Sequence, residues 1–273
     1  MKLTCLVDNA VRQSSRFWGE HGISFLIETP NGRVLFDTGS SGAVLIHNLA
    51  LTGVQTAGLS ALVLSHSHPD HTGGLSDLFD RRTGLPLYAN PALLRSRFVQ
   101  LDGQTTALGL AVSPETLAGS VTLHLSETQQ QVLPGVWTTG VITERPEPEG
   151  RGTGHVIRQG ETWVPDPYDD DLSLWVETPG GHALILGCCH AGLLNTLAHV
   201  RRLFGVYPNV VVGGTHLVSS DAAQLAHLVQ VLRPLGPPML YLNHCTGQPA
   251  YVALATAFGD RVRAFPAGSI LEL

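Results

Sequence analysis

The chain has 273 residues, 43% of them hydrophobic, which is enough to close a full core and argues against intrinsic disorder. Charged residues make up only 14%, and 16 Lys and Arg against 22 Asp and Glu leave a net charge of −6. Because no run of Lys or Arg occurs, the electrostatic footprint of a nucleic-acid binder is missing, and nucleic acid is not an expected partner. The apolar stretches fall far short of the ~20 residues of a membrane helix, and the N-terminus meets Asp8 before a leader-length apolar stretch can form. A cytoplasmic protein without membrane contact is therefore expected. Cys5, Cys188, Cys189 and Cys245 lack CxxC spacing and read as thiols of a reducing compartment.

In chain order, short apolar runs predict strands at 23–28, 34–36, 61–64, 121–125, 172–176, 183–186, 210–212 and 239–242. Between them, helical spacing predicts helices at 43–51, 75–81, 91–99, 193–204, 221–232 and 249–258. One segment echoes another. Ser24-Phe-Leu-Ile-Glu-Thr-Pro-Asn-Gly and Ser173-Leu-Trp-Val-Glu-Thr-Pro-Gly-Gly superpose, and each reads as a hairpin whose Pro-x-Gly turn supplies permissive dihedrals. Two similar halves, each a mixed sheet with helices, imply an α+β chain: a four-layer αββα sandwich forming one domain over residues 1–273. Residues 134–171, rich in proline and acids, break the rhythm and read as a long irregular connection.

Thirteen histidines are present, and their placement carries the chemistry. After the apolar run Ala61-Leu-Val-Leu comes Ser65-His-Ser-His-Pro-Asp-His71, with four potential metal ligands within the six residues 66–71. The two-residue strand period places His66 and His68 on one side, and Pro69 turns the chain so that Asp70 and His71 face a neighbouring position. Two adjacent divalent ions could be served, zinc first, with iron or manganese also suited to imidazole and carboxylate. Further ligands are expected where other apolar runs stop: His190 in Gly-Cys-Cys-His-Ala-Gly, His244 in Asn-His-Cys-Thr-Gly, and His216 in Gly-Gly-Thr-His. His21, just before the first predicted strand, is a candidate for substrate contact, as is His216. His124, His182, His199 and His227 lie inside strand or helix patterns and read as structural.

The segment His66-Ser-His-Pro-Asp-His71, preceded by Leu35-Phe-Asp-Thr-Gly39, resembles the HxHxDH signature of metallo-β-lactamase fold hydrolases. The resemblance implies one metal on His66 and His68, a second on Asp70 and His71 with His244 completing it, and a supporting role for Asp37. The chain departs from that pattern at the middle ligands: Cys188 stands at the Gly-Asp position, and Asp169 or Asp170 lies where a histidine would be. His190 is the expected replacement, with Cys188 or Asp170 as bridging alternatives. Gly187-Cys-Cys-His-Ala-Gly192 and Asn243-His-Cys-Thr-Gly247 further resemble the branch labelled dihydropterin-methyl-ribofuranosylaminobenzene-phosphate synthases. The implied activity is hydrolysis of a small ester, lactone or phosphoester, including a pterin-linked phosphate, with Asp70 orienting the nucleophile. The alternative is a non-hydrolytic metal-binding sensor or redox module on the same fold. Nothing in the sequence sets the oligomeric state.

Overall fold

The computed structural model describes all 273 residues. Two seven-stranded mixed sheets dominate it. The first runs Ile270–Glu272, Lys2–Val7, Ser24–Thr29, Gly32–Phe36, Ala61–Val63, Leu85–Ala89 and Val121–Leu125; the second runs Val262–Ala264, Met239–Leu242, Val210–Gly213, Gly181–Leu186, Ser173–Thr178, Val136–Thr138 and Gln131–Leu133. Each sheet is built from an antiparallel hairpin whose second strand begins a parallel run, Gly32–Phe36 in one and Gly181–Leu186 in the other. The hairpin echo in the sequence thus corresponds to a structural repeat. Thr29 and Thr178 each donate from Oγ1 to the carbonyl across the turn, of Gly32 and Gly181 respectively, at 3.1 Å in both.

Strand alternation distributes the core. Phe25, Ile27, Val34, Phe36 and Val63 of the first sheet share one apolar cluster with Leu174, Val176, Ala183, Ile185 and Val212 of the second. On the opposite face of the first sheet, Leu26, Leu35 and Leu62 pack with Leu45 and Leu49 of helix Gly42–Leu51 and Leu75 and Leu78 of helix Leu75–Phe79. On the far face of the second, Leu184, Val211 and Leu240 meet helices Leu193–Phe204, Ala222–Leu232 and Gln248–Phe258. The helix starts have local causes: Ser41 accepts from the Val44 N–H, and Asp221 and Gln224 form a capping box.

Two expectations are corrected. The predicted helix at 91–99 is a short 3-10 turn, Pro91–Leu94, followed by strand Arg97–Leu101, because Arg97 is drawn into a buried ion-pair cluster and pairs with Ile157. The connection 134–171 is not irregular throughout. Val136–Thr138 joins the second sheet, and hairpin His155–Gln159 with Thr162–Pro165 completes a four-stranded sheet with Arg97–Leu101 and Gln104–Ala107.

Candidate metal centre

Every candidate ligand begins where a strand stops. Strand Ala61–Val63 ends just before Leu64, the chain bends at Ser65, and an irregular stretch through an extended His68 leads to Pro69, which opens a one-turn helix, Pro69–Thr72, that carries Asp70 and His71. Strand Gly181–Leu186 leads through Gly187 to Cys188 and His190; strand Met239–Leu242 leads through Asn243 to His244. Parallel strands end on a common edge, so these loops converge. Several corners are strained: Asp37, Tyr168, Cys189, His216 and His244 all carry positive φ without being glycine, between 46° and 60°. Such conformations gather where a site is held in place by its surroundings.

Two donor groups result. His66, His68 and His190 form one; Asp70, His71, Cys188 and His244 form the other, and within each the ligand atoms lie within 4.8 Å of one another. His66 Nε2 is 3.1 Å from His68 Nδ1, and His71 Nε2 is 3.1 Å from Cys188 Sγ. Nitrogens on one tetrahedral zinc, with bonds of ~2.0–2.1 Å, stand about 3.3 Å apart. The spacing fits. The buried Nε2 of His190, the ring atom left over once Nδ1 bonds Gly150, has no hydrogen-bond partner, and an unpaired buried nitrogen costs about 1–3 kcal/mol unless a ligand takes it. The donor set of imidazole, carboxylate and thiol therefore fits a divalent cation in each group, with nitrogen alone in the first and a softer sulfur in the second.

Neighbouring groups orient the ligands. Asp37, fully buried, accepts from the Ser65 N–H at 2.7 Å and the Ser65 hydroxyl at 2.6 Å, and contacts His71 Nδ1 at 2.7 Å. That leaves His71 Nε2 directed at Cys188. His190 Nδ1 donates to the Gly150 carbonyl at 2.6 Å, and His244 is held by the Asn9 side-chain oxygen Oδ1 at Nδ1, 3.0 Å, and by the Asp8 carboxylate at its backbone N–H, 2.7 Å. Burial pushes the His66, His68 and His190 imidazoles well below the usual histidine range, so these three are neutral. At His71 burial acts in the same direction but the Asp70 and Asp37 carboxylates override it, raising the ring to about 9. At Asp70 burial opposes ionisation, yet the charge of His71 and the His244 contact hold the carboxyl well below its ordinary value.

Of the residues expected from the sequence, His66, His68 and His190 are brought together in one group, and Asp70, His71, His244 and Cys188 in the other. Cys188 contacts His71 in the second group rather than standing between the two. Asp170 lies in neither group, which corrects its reading as a bridging ligand: its oxygens are taken by Arg97 at 2.8 Å and by the Ser67 N–H at 2.9 Å. His216 also lies outside both groups, its ring 4.4 Å from that of His190 and its buried Nδ1 without a partner. His21 sits at the solvent edge, 71% exposed, with Nε2 at 3.4 Å from Asp70. His124, His182, His199 and His227 stack on Tyr88, stack on Trp175, or bond Thr139 and Glu147, outside both groups.

Tyr168, His155 and the Asp8–Asn9 pair escaped the sequence reading. Tyr168 stacks on His190 with ring centroids 4.1 Å apart, and its hydroxyl meets His155 Nδ1 at 2.8 Å. The signal available was weak: a tyrosine within an acidic run, and a polar pair at the end of the first strand.

The family model of the metallo-beta-lactamase superfamily matches residues 19–244. A curated relative from Methanocaldococcus jannaschii, 7,8-dihydropterin-6-methyl-4-(beta-D-ribofuranosyl)-aminobenzene-5'-phosphate synthase, is 29% identical over all of this chain and 96% of its own. The crystal structure of Tm1679, a metal-dependent hydrolase of the beta-lactamase superfamily, superposes with a TM-score of 0.86 at 25% identity, covering 100% of this chain and 99% of that one. Zn(2+)-bound PqqB from Methylobacterium extorquens shares the fold at a TM-score of 0.61 and 11% identity, with both chains fully covered. The chain belongs to the metallo-beta-lactamase superfamily.

Proposed function

We propose that the protein is a metal-dependent hydrolase, on a four-layer αββα sandwich, acting on a small ester, lactone or phosphoester substrate. The observation that carries this reading is the pair of converging donor groups, each with ligand atoms within 4.8 Å. His66, His68 and His190 would hold one divalent ion, and Asp70, His71, Cys188 and His244 the other, zinc being the best match to the donor set. Such ions, when bound, supply Lewis acidity and a water ionised near neutral pH.

The chain's own residues do the rest. Asp70, near His71 at 3.6 Å, His244 at 3.2 Å and His21 at 3.4 Å, has a carboxylate kept ionised and so able to orient the nucleophile as a hydrogen-bond acceptor. His216, whose imidazole burial lowers to about 4, is neutral and can donate one hydrogen bond to a substrate oxygen; His21 can contact the substrate from the solvent edge. A groove of ≈390 Å³ opens on His244 and is lined by Asn9, Asn243, Gln248, Tyr251 and Phe265 among others, which suits a small molecule. The similarity to the pterin-phosphate synthase of M. jannaschii supports a pterin-linked phosphate as one member of the panel to be tested. Four free thiols, two of them at the centre, suit a cytoplasmic location.

The test is elemental analysis of protein purified without added metal, followed by assays on lactone, ester and phosphodiester substrates. Bound divalent metal and turnover that His68→Ala and Asp70→Ala abolish are expected. Full activity in metal-free protein would refute the proposal, and visible absorption from bound iron with no turnover would favour a redox module.

A further inference from the structure

We infer that Asp170 and Asp171 are positioning residues: two adjacent buried carboxylates that clamp the loops bearing His66, His68 and His190 into one frame. The inference rests on the metal reading of the first donor group. Asp170 Oδ2 accepts from the Ser67 N–H at 2.9 Å, and Ser67 lies between His66 and His68, so this one bond fixes the peptide that spaces the two imidazoles. Asp171 Oδ2 accepts from the Ala191 N–H at 2.8 Å, fixing the peptide that leaves His190. The next residue continues the seam, with the Leu172 N–H bonded to the Ser65 carbonyl at 3.0 Å. Three consecutive residues therefore touch both ligand loops, which are more than a hundred positions apart in the chain.

The electrostatic arrangement indicates a constraint and not mere packing. Asp170 and Asp171 are each 1% exposed, and Arg97, with a fully buried side chain, pairs with Asp170 at 2.8 Å and with Asp166 at 3.0 Å. The same guanidinium donates to the Ser67 hydroxyl at 3.2 Å, so Ser67 is held on both its backbone and its side chain. Taking ions out of water costs several kcal/mol each, and apolar residues of the same volume are often as stabilising or more so. A buried cation and carboxylates placed on the one residue between two ligands, and beside the third, fix orientation where apolar packing would not. Partners of this kind typically contribute 10–100-fold to metal affinity.

Cobalt(II) titration of the metal-free protein, in competition with a chromophoric chelator, tests this. The second group contains the Cys188 thiol and reports itself by a near-ultraviolet sulfur-to-cobalt band; the first, all nitrogen, does not. Wild type is expected to take up two equivalents. Asp171→Ala is expected to lose roughly 10–100-fold in affinity at the first group alone, with the sulfur band intact, and Asp171→Asn, which keeps an acceptor oxygen, to restore most of it. Equal weakening of both groups, or no weakening, would overturn the inference while leaving the metal reading in place; a wild type that binds no cobalt would overturn both. Should Asp171→Ala not fold, hydrogen exchange on the metal-free wild type decides: slow exchange at the Ser67 and Ala191 amides supports the clamp, and exchange at unprotected rates overturns it.

Discussion

Replacing Asp37 by Asn isolates the electrostatic contribution of one carboxylate to the second donor group. Asn tolerates the left-handed φ of 58° at this position, so the backbone is spared. Its Oδ1 can still accept from the Ser65 N–H, where Asp37 now accepts at 2.7 Å. The other oxygen, 2.7 Å from His71 Nδ1, becomes an NH2 donor. Two outcomes are open to the ring. If Nδ1 keeps its proton, two donors face each other in a fully buried site at a cost of about 1–3 kcal/mol. If the proton moves to Nε2, the lone pair that points toward Cys188 at 3.1 Å is lost to any cation. Either way the second group binds metal more weakly, by roughly 10–100-fold, or about 1.4–2.8 kcal/mol. Competitive titration with zinc reads this directly, and the first group serves as the internal reference. Unchanged zinc affinity at the second group in a folded Asp37→Asn protein would refute the argument that Asp37 sets the orientation and tautomer of His71.

Cys188→Ser, which keeps the size of the side chain, is expected to abolish the sulfur-to-cobalt band while the nitrogen-ligated group still fills, checked by absorption and metal counting. Chelation is expected to destabilise the protein, because a ligand at about a thousand times its dissociation constant contributes about 4 kcal/mol to the native state; scanning calorimetry with and without metal measures the shift. Gly192→Ala should lose more than about 1 kcal/mol, since Gly192 has φ of 89° and an added Cβ would lie 2.2 Å from the Pro148 carbonyl oxygen. Urea titration reads that loss, and metal analysis should show weaker filling of the first group, because the displaced strap also carries the Gly150 carbonyl that holds His190.

The sequence made the site's ligands legible to different degrees, for physical reasons. His66, His68, Asp70 and His71 crowd into one strand-to-helix corner, so local spacing alone predicts their convergence. His190, His244 and Cys188 could be found because each follows an apolar strand by only a few residues. The supports were not legible in the same way. Arg97 looks like an exposed helical residue until Asp166 and Asp170, distant in the chain, meet it in the interior. Asp170 looks like a ligand by type, and only the third dimension shows its oxygens spent on Arg97 and Ser67. The hairpin 155–165 carries little apolar alternation, as Ile157 is its one buried residue and the rest are half-buried or exposed, and so gave no strand signal within a Pro-rich stretch.

The repeated hairpin explains why two donor groups lie side by side. In each half the second hairpin strand begins the parallel run, so every later strand of that half delivers its C-terminal loop to the same edge. The first half contributes Asp37 and the cluster from His66 to His71; the second contributes Cys188, His190, His216 and His244. Because the two sheets share one apolar cluster, those edges face each other across a short gap, and each donor group draws ligands from both halves. A group that spans the halves cannot form until they have docked. Cation binding is therefore expected to be coupled to the packing of the apolar cluster that holds Phe36 and Val63 with Ile185 and Val212, residues outside both donor groups that join the two sheets.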